Sequence, residues 1–139
     1  MMDDRELLEQ AVHHPATKWR TLIAAPAPVF HQLGFSHPYG GTFNYMKDIV
    51  PEWYTRDDFY RTVERIPPEA VRKLHFFGTS DEVIDQVQPW LDMGVTDVMI
   101  YNVGSLGGTE AMQACTAANE RLRAALKDRK VSRKDLEHY

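Results

Sequence analysis

The chain has 139 residues with a net charge of −4, is 43% hydrophobic and 26% charged, and so has the composition of one ordinary globular domain with a real core. Its acidic balance gives no reason to expect nucleic acid or an anionic membrane as partner, no apolar run approaches the roughly 18 residues of a membrane span, and the polar start is no signal peptide. The single cysteine, Cys115, excludes an internal disulfide framework, and a cytoplasmic protein is the simplest reading.

In chain order, Asp3 or Asp4 can cap a first helix whose buried stripe is Leu7, Leu8, Ala11 and Val12, interrupted at Pro15. A second helical piece carries Trp19, Leu22 and Ile23 and stops before Pro26. Pro28 can start a short turn of helix through Phe30 and Leu33 that ends at Gly34. The stretch Phe35 to Thr42 has a loop composition, and its aromatics predict packing against something. Asn44 to Val50 reads as a short helix stopped by Pro51. Thr55 and Asp58 mark another helix start, with Phe59, Val63 and Ile66 at helical spacing. Pro67-Pro68 end that helix, and Pro68 can open a single turn, Glu69 to Lys73.

Leu74 to Val103 then reads as one strand–helix–strand unit. Leu74-His75-Phe76-Phe77 and Val98-Met99-Ile100-Tyr101 are apolar runs without alternation, the pattern of strands covered on both faces. Between them Thr79 and Glu82 have capping-box spacing, and Val83, Val87, Trp90 and Leu91 share a helical face. Pro89 predicts a kink, and Gly94 ends the helix. A glycine-rich turn from Asn102 to Gly108 leads to a last helix, capped by Thr109, with Cys115, Ala118, Leu122, Ala125 and Leu126 as its apolar stripe. Seven of the sixteen basic residues fall between Arg121 and Lys134, which suits a helix C-terminus. Two buried strands do not make a stable sheet, and their apolar edges would lie bare. The chain is therefore expected to continue upstream, or to borrow neighbouring strands from another chain.

The ordered series Gly34-Phe35-Ser36-His37-Pro38-Tyr39-Gly40, Val50-Pro51-Glu52, Ile66-Pro67-Pro68-Glu69-Ala70-Val71, Phe77-Gly78-Thr79-Ser80-Asp81-Glu82-Val83 and Leu91-Asp92-Met93-Gly94-Val95-Thr96-Asp97-Val98 resembles the C-terminal part of the bacterial-luciferase-like superfamily. It is most similar to the branch that uses the deazaflavin coenzyme F-420, which includes ketoreductases and glucose-6-phosphate dehydrogenases. The resemblance covers about Leu7 to Leu126. It implies an α/β fold, the C-terminal portion of a (β/α)8 TIM barrel, in which complete barrels need about 250 residues. Residues 1–73 would be a mostly helical insertion, 74–103 would hold strands seven and eight, and 109–130 the terminal helix. Strands one to six, and with them the family's catalytic group, would lie outside this chain.

The resemblance implies an oxidoreductase that uses coenzyme F-420, or alternatively FMN, to pass hydride to or from a carbonyl, alcohol or imine carbon, or to insert oxygen as a monooxygenase. The isolated 139 residues are expected to be inactive. Strand C-terminal ends form the active-site face of such barrels. Gly78, Thr79, Ser80, Asn102 and Gly104 are therefore the expected cofactor-binding residues, and His37 and Tyr39 the expected substrate-binding ones. Free N–H groups at the Gly78–Ser80 helix start suit a phosphate, although Thr79 and Ser80 can equally serve only as caps. No catalytic residue and no metal site is assigned: the six histidines lack ligand spacing, and no dinucleotide fingerprint or P-loop is present. The expected partners are a small-molecule substrate, and either a missing N-terminal barrel segment or further copies of the chain. The alternative function is a non-catalytic α/β module, or a truncated product, that completes its sheet by self-association or on a partner subunit.

Overall fold

The computed structural model describes residues 1–48 and 54–128. Among the described residues eight α-helices follow one another: α1 (Arg5–His13), α2 (Pro15–Ala24), α3 (Ala27–Gln32), α4 (Tyr45–Asp48), α5 (Arg56–Glu64), α6 (Pro68–Leu74), α7 (Ser80–Asp92) and α8 (Thr109–Asp128), with a 3-10 turn at Val103–Gly107 before α8. The motif Val50-Pro51-Glu52, the end of the helix expected from Asn44 to Val50, and residues 129–130 of the expected terminal helix lie outside the described residues.

Local chemistry places most of these helices. Asp4 accepts the backbone N–H groups of Glu6 and Leu7 at 2.9 and 3.0 Å and so caps α1. Proline opens α2 and α6, where its missing N–H has no intrahelical partner to lose. Thr55 with Asp58, and Thr79 with Glu82, form reciprocal capping boxes at α5 and α7. Gly34 and Gly94 take the positive φ values of 84° and 93° that end α3 and α7.

The chain divides into two compact units. The first comprises Met1–Leu8 and the residues from Phe76 onward. Its core is Val83, Ile84, Val87 and Leu91 of α7 with Leu122 of α8, and Met1, Ile100, Ala125 and Leu126 pack against it. Cys115 is buried on the same helix as expected, beside Ala111 and Ala118. The second unit is Glu9–His75. There α2 packs on α5 and α6, with Trp19 and Phe59 rings 5.1 Å apart.

The expected barrel portion is not what forms: among the described residues there is no strand, sheet or barrel. The first run fails because α6, opened by Pro68, carries Leu74 as its last helical residue. The second run, 98–101, forms no strand among the described residues, since a strand needs a neighbour to form its ladder. Trp90 is also displaced from its expected buried face and stands half exposed, at 50%. The α7 stripe is instead Val83, Ile84, Val87 and Leu91, the i, i+1, i+4, i+8 positions of one helical face.

Candidate functional site

The start of α7 gathers the most chemistry in the first unit. Gly78 has φ +142°. Thr79 donates its N–H to Glu82 at 2.8 Å, and Arg5 holds the same carboxylate at 2.8 Å. Ser80 is fully buried. Both its N–H, at 2.8 Å, and its hydroxyl donate to Oδ1 of Asp3, while Arg121 grips the other carboxylate oxygen at 2.8 Å and reaches Asp81 at 3.4 Å. Partial burial pushes the Asp3 carboxyl upward, but the Ser80 hydrogen bonds and the Arg121 charge outweigh it and hold it below the usual carboxylate range. A negative oxygen thus already sits against the helix N-terminus, where the macrodipole favours it. Asp3 and Arg121 were not singled out as site residues from the sequence. They lie 118 positions apart, and each had a sufficient local explanation, Asp3 as a helix cap and Arg121 as part of a basic helix end.

Asn102 has a different role. Its Oδ1 accepts from Gly104 N–H and the Met1 amino group, each at 3.3 Å, and its amide donates to the Met1 carbonyl at 2.6 Å and to Asn119 at 3.2 Å. These bonds engage both ends of the side-chain amide and tie the 3-10 turn to the N-terminal segment and α8. Gly104 is buried, and a Cβ there would lie 2.8 Å from Met2 Cε and 3.2 Å from Cys115 Sγ. Its lack of a side chain answers to internal packing.

In the second unit, His37 is buried in an aromatic nest. It stacks on Phe43 at 4.4 Å and meets the edge of Phe30 at 4.7 Å, with Tyr39 at 6.1 Å. Tyr39 N–H donates to Nδ1 at 3.2 Å, so the proton sits on Nε2, which donates to the Leu22 carbonyl at 3.2 Å. Both ring nitrogens are engaged, Nδ1 by the loop's own backbone and Nε2 by a carbonyl of α2. The Tyr39 hydroxyl is buried with no partner among the described residues, and its ring lies 5.4 Å from Tyr54. His75 is held through one ring nitrogen: Thr21 donates its hydroxyl to the Thr17 carbonyl at 3.0 Å and accepts from His75 Nε2 at 2.9 Å.

Burial lowers the pKa of both imidazoles below 6.5. A histidine whose folded pKa is depressed stabilises the fold fully above its unfolded value, and that stability is lost as pH falls toward the folded value. Denaturant midpoints measured from pH 7.5 downward should therefore hold steady to about pH 6.5 and then decline. Replacing His37 with Gln should flatten part of that decline, and an unchanged slope would show that His37 does not contribute.

No helix among the described residues is long and apolar enough to cross a membrane. No family model matches the chain, and no solved structure matches it. Curated relatives do. Over 115 residues the chain is 29% identical to the phthiodiolone/phenolphthiodiolone dimycocerosates ketoreductase of Mycobacterium kansasii, covering 83% of this chain and 31% of that one. The protein of that name from Mycobacterium bovis (strain BCG / Pasteur 1173P2) is 31% identical over 114 residues, 82% of this chain and 29% of the relative. That from Mycobacterium sp. (strain JLS) is 36% identical over 84 residues, 60% and 22% of the two chains. The chain spans about a third of the length of the relatives it matches. The similarity supports an oxidoreductase relationship.

Proposed function

We propose that this chain is part of a luciferase-like, deazaflavin-dependent oxidoreductase that reduces a ketone, with FMN as the alternative coenzyme. The single observation behind the reading is the similarity, near 30% identity over more than four fifths of the chain, to proteins named as ketoreductases. The coenzyme would supply the hydride.

The residues at the start of α7 fit an anionic group. Ser80 N–H and hydroxyl and the Arg121 guanidinium already surround one carboxylate, that of Asp3, which stands in for a phosphate oxygen. Gly78, Thr79 and Ser80 with Arg121 are the residues this reading assigns to a coenzyme phosphate. A phosphate would displace Asp3, and Arg121 would exchange one anion for the other. Asn102 and Gly104 would hold the adjoining turn in place, and His37 and Tyr39 would shape the loop assigned to substrate.

Fluorescence titration with coenzyme F-420 and with FMN tests the reading. Saturable binding is expected. Asp3→Ala should tighten it by removing the competing carboxylate, and Arg121→Ala should weaken it about tenfold, the scale of one charge-assisted contact. Equal affinity in all three proteins would overturn the phosphate assignment, and no affinity for either coenzyme would count against the function.

A further inference from the structure

The two peptide groups that flank Gly78 are held differently. In the one after it, the Gly78 carbonyl accepts Met2 N–H at 3.3 Å and Thr79 N–H goes to Glu82 at 2.8 Å, so both ends are engaged. In the one before it, the Phe77 carbonyl accepts the side-chain amide of Gln86 at 2.7 Å, and Gln86 Oε1 accepts Phe77 N–H at 3.1 Å. The other end of that peptide, Gly78 N–H, donates to no described residue, although Gly78 is buried. A buried backbone donor without an acceptor is rare, and an anionic oxygen is the acceptor such a turn suits.

We propose that Gln86 is a positioning residue for the coenzyme phosphate: its hold on the Phe77 carbonyl fixes the direction of Gly78 N–H. The inference rests on the oxidoreductase reading above and on its assignment of Gly78 to that phosphate. A peptide group is planar and trans, so its C=O and N–H point opposite ways and turn together. Gly78 is the residue that would let this group turn over. Glycine admits both signs of φ, and type I and type II turns differ by such a rotation, the second needing a positive φ after the rotated peptide. Gln86 belongs to α7. The helix whose start is assigned to the phosphate therefore also sets the peptide that leads into that start.

The test is fluorescence titration of the wild type and two variants with FMN and phosphate-free riboflavin, and with coenzyme F-420 and its phosphate-free deazaflavin core. Gln86→Ala should weaken binding of the phosphate-bearing coenzyme about tenfold, the loss of one charge-assisted contact, and leave binding of the phosphate-free form unchanged. Its urea midpoint should stay near that of the wild type, because the Gln86 side chain is exposed and alanine favours a helix. At about pH 7 the carboxylate of Gln86→Glu can accept Phe77 N–H but cannot donate to the carbonyl, so this variant should bind like Gln86→Ala. As pH falls toward the carboxylate range, roughly 4.3, the protonated acid donates again. Its affinity relative to the wild type at the same pH should then recover. Unchanged affinity in Gln86→Ala would overturn the proposal and leave the coenzyme reading intact. So would an equal loss with and without the phosphate, or no recovery in Gln86→Glu. Should Gln86→Ala fail to fold, the recovery of Gln86→Glu alone decides. If neither coenzyme binds the wild type, the coenzyme reading falls and the proposal falls with it.

Discussion

Replacing Phe30 with alanine should be the most damaging single change in the second unit. The ring is fully buried at 0% exposure, near the end of the short helix α3, and packs edge-on against His37 at 4.7 Å. Three further contacts depend on that arrangement. Phe35 N–H bonds the Phe30 carbonyl at 2.9 Å to close the turn at Gly34, Ala27 N–H bonds the Phe43 carbonyl at 3.0 Å, and His37 stacks on Phe43. Truncation removes the buried ring and leaves a cavity that the aromatic nest cannot fill without losing the His37 hydrogen bonds. The cost expected for such a change is about 3–5 kcal/mol, a large share of the roughly 5–15 kcal/mol that holds a domain together. A urea titration should show the midpoint fall steeply with little change in slope. A loss under about 1.5 kcal/mol, the range of volume-conserving swaps, would mean that the nest is not packed as described.

The second large effect is expected at Gly78. Its φ of +142° lies where L-residues are strained, and an added Cβ would come within 2.6 Å of Glu82 Oε2 and 2.8 Å of Glu82 Cβ. The Cβ of Glu82 belongs to the first turn of α7 and cannot swing away as a side-chain tip can. Gly78→Ala must therefore distort the backbone or push Glu82 out of its capping box with Thr79. Backbone strain costs about 1–3 kcal/mol and loss of the cap about 1 kcal/mol, so a total of roughly 2–4 kcal/mol is expected. Gly40→Ala is the matched control. Gly40 also has positive φ, +96°, but nothing lies within 4 Å of its Cβ position, so only the strain component should appear. If the two substitutions cost the same, close approach to Glu82 contributes nothing. The functional consequence sits beside the structural one, because the turn that strains at Gly78 also presents Ser80 to Asp3.

The helix boundaries were legible because each is written in adjacent residues. Asp4, Thr55 with Asp58, Thr79 with Glu82, and the prolines at 15 and 68 act within one turn of themselves, so short sequence windows contain the whole cause. The buried face of α8 was legible for a similar reason, since Cys115, Ala118 and Leu122 repeat at helical spacing. The strands were misread because an apolar run states only that a segment avoids water, not what would pair with it. Leu74-His75-Phe76-Phe77 is divided between the end of α6 and an extended link, with Phe76 half exposed at 50%. In Val98-Met99-Ile100-Tyr101 only Ile100 reaches the described core.

The candidate site was legible in part. Gly78, Thr79 and Ser80 do form a helix start with inward-turned polar groups. The groups that complete it, Asp3 and Arg121, come from the two ends of the unit, and no local pattern joins positions 118 apart. Asn102 shows the opposite limit. Its residue type and its place in a glycine-rich turn pointed outward to a ligand, whereas its amide is engaged by Met1, Gly104 and Asn119. His37 likewise spends both ring nitrogens on Leu22 and Tyr39.

The most direct measurement is coenzyme-dependent ketone reduction by the protein purified from its source cells at its native size. Reduced coenzyme F-420, or reduced FMN, is mixed with a ketone, and coenzyme oxidation is followed beside alcohol formation. The expected result is one coenzyme oxidised per alcohol formed, the hydride passing to the carbonyl carbon and a proton to its oxygen, at a rate that rises with protein concentration. A rate equal to that without protein, with both coenzymes, would contradict it.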